Sequence, residues 1–144
     1  MIAVDTNILV YAHRRDSPWH APAAAAIALL AAGRDRWALP WPCVHEFYAV
    51  VTHPLIYAPP STSDAAIDQV EAWLECPTLE LIAEEASYWD KLRDLLRDAR
   101  VTGPRIHDAR IAALCEVHGV RELWSADRDF SRFARLTTRN PLLP

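Results

Sequence analysis

Glycine is scarce: the chain has 3 glycines in 144 residues. That excludes a glycine-rich loop wrapped around a phosphate, and with it a mononucleotide-binding fold of that type. Cysteine is equally scarce. Cys43, Cys76 and Cys115 are odd in number and far apart, which excludes a disulfide framework and a zinc knuckle. Each is expected to act as a small buried apolar residue in a reducing compartment. Lysine is nearly absent, with Lys91 alone. No apolar run reaches the roughly 20 residues of a membrane span. The longest, "APAAAAIALLAA" at 21–32, falls short. The opening carries Asp5 where a signal peptide has a basic segment, so the expectation is a cytoplasmic protein with no membrane partner. No internal repeat is visible.

What is present describes a folded domain. Hydrophobic residues make up 51% and charged residues 24% of the chain, a globular balance. A chain of this length fits one domain, 1–144, and buries roughly 70% of its unfolded surface without staples. The formal net charge is −4, but it is unevenly spread. Residues 1–90 carry 4 basic and 12 acidic groups, and residues 91–144 carry 11 basic and 7 acidic groups. Apart from Lys91 the basic groups are arginines, which suit bidentate phosphate contacts as well as an ordinary solvated helix face. A sequence pI near 5.8 argues against a protein that coats nucleic acid and leaves room for a basic groove beside an acidic site.

Strand and helix signals alternate along the chain. Residues 1–4 read as a buried strand and 7–13 as a helix. Residues 20–33 form an alanine-rich helix with Gly33 at its stop. "WAL" (37–39) reads as a strand ending at Pro40. "PCVHEFYAVVTH" (42–53) begins with proline in a first helical turn, and Val44, Phe47, Val50 and Val51 recur at helical spacing. The proline-rich stretch 53–63 is a surface loop. Residues 64–74 return to helix and 79–83 to strand. Residues 85–99 form an amphipathic helix with Trp89, Leu92, Leu95 and Leu96 on its apolar side. "VTGPR" (101–105) is loop, and 106–119 is a helix closed by Gly119. Residues 121–124 are a strand, "SADRD" a loop, "FSRFA" a short helix and "RLTT" a last strand. The alternation predicts an α/β domain with parallel strands and crossover helices. In such sheets ligands collect at the carboxyl ends of the strands.

Several acids stand out against this frame. Asp5 follows "IAV", where it either caps the next helix or is a carboxylate delivered at a strand's end. Glu46 lies inside an otherwise apolar helical stretch. Asp108 complements the start of its helix, yet it shares a stripe with Ile111, Ala112 and Cys115, and an inward carboxylate needs a partner. His107 beside it is an acid/base candidate or a rim residue. Asp127 and Asp129 share one tight loop, Asp127 as a turn residue and Asp129 as a candidate cap for "FSRF". If the sheet gathers these acids they repel. Two unit charges about 5 Å apart cost roughly 3 kcal/mol at an effective dielectric near 20. An all-oxygen cluster selects a hard ion, Mg²⁺ or Mn²⁺. Thr6, Asn7 and Ser125 are short polar groups suited to orienting carboxylates.

"VDTNILVYA", "HEF", "HDARIAALC" and "SADRDF" occur in this order, and the ordered set resembles the PIN-domain ribonucleases, most closely the VapC-type toxins of bacterial toxin–antitoxin pairs. The resemblance spans the chain almost end to end. It implies a three-layer α/β/α fold around a mostly parallel sheet and Mg²⁺- or Mn²⁺-dependent endoribonuclease activity. It also implies an RNA substrate, a cognate VapB-type antitoxin and a homodimer. The family's acidic quartet falls on Asp5, Glu46, Asp108 and Asp127, with Asp129 a supporting acid. The metal would lie among Asp5, Asp108, Asp127 and Asp129. Ser125 matches the family's small hydroxyl residue, and Asn7 its asparagine after the first threonine. Arg110 and Arg128 are candidate RNA backbone contacts.

Two rivals differ in class. A phosphatase of the haloacid dehalogenase type also places an acid after its first strand, but it needs a second Asp where this chain has Asn7. A non-catalytic RNA- or partner-binding module of PIN-like fold has no reason to keep the full set of acids.

Overall fold

The computed structural model describes residues 1–144. Its centre is a five-stranded sheet with order β3-β2-β1-β4-β5. The strands are β1 (Ile2–Val4), β2 (Trp37–Pro40), β3 (Leu79–Ile82), β4 (Glu122–Trp124) and β5 (Thr137–Arg139). Every pairing is parallel. The expected "mostly parallel" sheet is therefore wholly so. Six α-helices connect the strands: α1 (Thr6–His13), α2 (His20–Ala32), α3 (Trp41–Val51), α4 (Ser63–Leu74), α5 (Tyr88–Asp98) and α6 (Ile106–Val117).

All four residues of β2 are buried, as are Ala3 and Val4 of β1 and Leu123 and Trp124 of β4. Successive strand side chains point to opposite faces, so this burial requires helices on both faces. The three-layer architecture follows. One apolar core of 30 residues, among them Ile8, Trp37, Leu39, Phe47, Leu114 and Leu123, runs through it. Phe47 is fully buried between His13 and Trp73, with ring centroids 5.3 and 4.8 Å away. Burial of such a ring contributes about 1.5–3 kcal/mol, and here it fixes α3 against α1 and α4.

Strand order reverses direction at β1, whose neighbours are β2 and β4. The crevice at the carboxyl ends of β1 and β4 is the position where open α/β sheets bind ligands. Register makes it specific. Val4 pairs with Trp124, so Asp5 and Ser125 leave the sheet side by side.

Some expectations shift. α5 begins at Tyr88, and Trp89 is 57% exposed while Leu92 is buried, so Trp89 is not on the apolar side. "VTGPR" contains a 3-10 turn at Gly103–Arg105. The short helix of the last loop is a 3-10 turn at Arg128–Arg132, and β5 starts later than "RLTT" suggests. Gly33 caps α2 with ordinary extended backbone at φ −75°. Cys76 is only half-buried, unlike Cys43 and Cys115. Its thiol contacts the Thr78 hydroxyl at 3.3 Å, which gives it a polar partner at the sheet's edge.

Candidate functional site

Asp5 ends β1 and caps α1, so both readings of its position hold at once. Its backbone N–H donates to the Trp124 carbonyl at 2.9 Å and continues the β1–β4 ladder. The residue is buried, 7% exposed. Oδ1 accepts from the Thr6 N–H at 2.8 Å and from the Cys43 thiol at 3.6 Å. Oδ2 accepts from the Ser125 hydroxyl at 2.7 Å and from Asn7 Nδ2 at 3.1 Å. Burial pushes the carboxyl up from 3.8 to about 6, with the Glu46 charge adding to it and the bonds from Ser125 and Thr6 holding it back.

A small network steadies these donors. Asn7 Nδ2 also donates to Ser125 Oγ at 3.1 Å, and Asn7 Oδ1 accepts from the Ala126 N–H at 3.1 Å. Ser125 Oγ accepts in turn from the Asp127 N–H at 3.0 Å. The loop after β4 is thereby tied to the loop after β1. Asp127, not Asp129, caps the 3-10 turn that follows, its Oδ1 accepting from the Asp129 N–H at 2.8 Å. Asp127 stands one residue before the turn, where a side chain can reach back-turned N–H groups. Asp129 already lies inside it.

Asp108 sits in the first turn of α6, above the buried Ile111, Ala112 and Cys115. Carboxylate oxygens of Asp108, Asp127 and Asp129 come within 4.8 Å of one another. Burial raises the Asp108 carboxyl. The charges of Asp127, Asp129 and Glu46 raise it further, and Arg132 offsets part of this. Glu46 projects from α3 into solvent and accepts from the Thr6 hydroxyl at 3.1 Å. Asp5, Glu46, Asp108 and Asp127 line one cleft of about 270 Å³ together with Thr6, Asn7, Val10, Tyr11, Val50 and Tyr57. A second depression joins it, walled by His45, His107 and Arg110.

The donor set fits a divalent cation of the hard class. It offers carboxylate oxygens only, crowded enough to disfavour full ionisation, with rigid supports behind them. Of the candidate RNA contacts, Arg110 is held by Glu84 at 2.9 and 2.7 Å. Arg128 is exposed and makes no ion pair.

Sequence reasoning missed Cys43, Tyr11 and Tyr57. Cys43 precedes Glu46 by one helical turn, a spacing that shares a helix face, and that signal was available. Tyr57 reaches the cleft from a loop with no periodicity to read.

The family model described as PIN domain matches residues 2–136. The chain belongs to the PIN-domain family. Among its relatives, ribonuclease VapC48 of Mycobacterium tuberculosis is 31% identical over 95% of this chain and 94% of its own. Ribonuclease VapC43 of the same organism is 35% identical over 99% of this chain and 96% of its own. The fold matches that of M. tuberculosis VapC20, a toxin that cleaves the sarcin–ricin loop, with TM-score 0.72, 15% identity, and 97% and 100% of the two chains covered. It also matches Rickettsia felis VapBC2 bound to a promoter DNA fragment, with TM-score 0.68, 22% identity, and 97% and 98% covered. This PIN domain thus brings Asp5, Glu46, Asp108 and Asp127 to one cleft on a fold shared with VapC proteins. No helix in it is long and apolar enough to cross a membrane.

Proposed function

We propose that this protein is a metal-dependent endoribonuclease, the toxin of a VapBC-type toxin–antitoxin pair, with Mg²⁺ or Mn²⁺ as its cofactor. One observation carries the reading: four carboxylates from four separate chain segments, Asp5, Glu46, Asp108 and Asp127, line a single cleft. Full-length relatives named as VapC ribonucleases support it.

Asp108, Asp127 and Asp129 would hold the ion, with Asp5 joining them directly or through a water. A divalent ion held there would supply Lewis-acid chemistry, polarising a phosphodiester and lowering the pKa of a water. Glu46, on the open side of the cleft, takes the proton from the attacking water. Thr6 orients Glu46 through its hydroxyl. Ser125 and Asn7 keep the Asp5 carboxylate from turning. Attack in line with the leaving 3′ oxygen gives products with 5′-phosphate and 3′-hydroxyl ends. Arg128, and less so Arg110, contacts the RNA backbone. A VapB-type antitoxin silences the site by placing an arginine among the acids, and the active form is a cytoplasmic homodimer.

The test is cleavage of total RNA by the antitoxin-free protein with Mg²⁺, with Mn²⁺ and with a chelator. Discrete cuts that need metal are expected. Asp5→Asn should drop the rate below detection while circular dichroism stays that of the wild type. Full activity of Asp5→Asn would refute the reading.

A further inference from the structure

The turn between α4 and β3 lies at the amino ends of the parallel strands, away from the acidic cleft at their carboxyl ends. It carries Cys76, which is half-buried, whereas Cys43 and Cys115 are buried. The Cys76 sulfur meets more donors than acceptors. As a thiol it has one acceptor, the Ala31 carbonyl, at a loose 3.9 Å. Around it stand the Thr78 hydroxyl at 3.3 Å, the Thr78 N–H, the Trp37 indole N–H and the Leu79 N–H.

Trp37 is the member that needs explaining. The residue is 1% exposed, and its indole nitrogen is buried with no hydrogen-bond partner. That N–H is turned toward the Cys76 sulfur. A buried donor without an acceptor is costly, and a neutral thiol is a weak acceptor. Loss of the thiol proton makes the sulfur an anion and gives the indole N–H its missing partner. Burial by itself raises the Cys76 thiol, but the four donors outweigh it and bring the thiol below its ordinary value. The thiolate is the nucleophilic form of cysteine.

We propose that Cys76 is a site of reversible S-thiolation, taking one half of a small disulfide of low-molecular-weight thiols. The Cys76 thiolate attacks one sulfur of that disulfide. A new S–S bond forms, the old one breaks, and the departing half leaves as a thiolate that takes a proton from water. Cys76 is oxidised to the mixed disulfide as the other half is reduced to its thiol. Cys43 and Cys115 lie buried near Asp5, at the opposite end of the sheet. The chain therefore does not resolve the adduct itself, and an outside thiol removes it. A cysteine of lowered pKa is also a good leaving group, which makes that removal fast.

Hydroxyethyl disulfide, a neutral reagent, tests it on the native protein across a range of pH, with adducts counted by intact mass and located by peptide mass. One fast adduct on Cys76 is expected, reversed by a small thiol. Its rate should inflect at lower pH than that of the same cysteine in the urea-unfolded chain. Thr78→Val and Trp37→Phe each remove one donor. Each should move the inflection upward and slow labelling at pH 7 by about 2- to 5-fold. Cys76→Ser should lose the fast adduct. Thermal melts establish that each variant is folded, and Thr78→Val decides the matter if Trp37→Phe does not fold. Fast labelling of Cys43 or Cys115 instead, or no labelling of the native protein, would overturn the proposal. So would an inflection no lower than in urea, or a folded Thr78→Val that titrates like the wild type.

Discussion

At Asp5, two oxygens meet four donors drawn from α1, α3 and the loop after β4. The carboxylate is held as an anion in a place that disfavours anions. Its folded value of about 6 lies above the usual 3.8. The folded state therefore holds the proton more tightly than the unfolded chain. The stability this lends is complete below about pH 4 and is lost as pH rises through 6, about 3 kcal/mol at most for this one group. Asp108 shifts in the same direction. In chelator, urea midpoints should fall between pH 5 and pH 7, and saturating Mn²⁺ should restore the loss at pH 7. A midpoint that climbs with pH in chelator would contradict the assignment. The capping role of Asp5 was legible, since "DTN" before an apolar run marks a helix start. Cys43 was legible only as a residue one helical turn from Glu46; its thiol's contact with this carboxylate was not. It depends on how α3 crosses the end of β1, which no local pattern reports.

Among the elements, α5 and α6 end alike but with different residues. After α6, Gly119 takes φ +71°, the Val120 N–H reaches the Cys115 carbonyl at 2.8 Å and the Gly119 N–H reaches Glu116. After α5, Arg100 takes φ +50°, with the Val101 N–H on the Leu96 carbonyl at 2.9 Å. Both are left-handed helix terminations of the Schellman type. Glycine adopts that backbone freely and arginine does not. Arg100→Gly should therefore stabilise the protein by about 1 kcal/mol, and Gly119→Ala should destabilise it by about 1–2 kcal/mol. Both are measurable by denaturant titration, and neither should alter RNA cleavage. The helix end at Gly119 was readable because glycine announces it. The end of α5 carries no such mark. Likewise Trp89 reads as apolar but lies in the first turn of α5, beyond the reach of the sheet.

Over the whole molecule, alternating strand and helix signals were enough to expect a parallel α/β domain, with Asp5 and the Asp127 loop both at carboxyl ends of its strands. Strand order was not, since nothing local says that β1 pairs with β4 across more than a hundred residues. Charge is divided along the same lines. The basic third, 91–144, supplies α5, α6, β4 and β5, beside a cleft lined with acids. Within it Arg128 is free and Arg110 is bound to Glu84. Arg128→Ala should weaken RNA binding for all sequences alike and reduce the salt slope by about 1, whereas Arg110→Ala should do less. Equal effects would show that the Glu84 pair opens on binding.

All of this turns on whether the gathered carboxylates answer their mutual repulsion with a cation. Calorimetric titration of the chelator-stripped protein with Mn²⁺ at pH 7 measures it directly, with Asp108→Asn and Asp127→Asn as companions. Saturable binding by the wild type, lost or at least tenfold weaker in each folded variant, is expected. A wild-type protein that takes up no Mn²⁺, or variants that bind it as well, would contradict the metal centre.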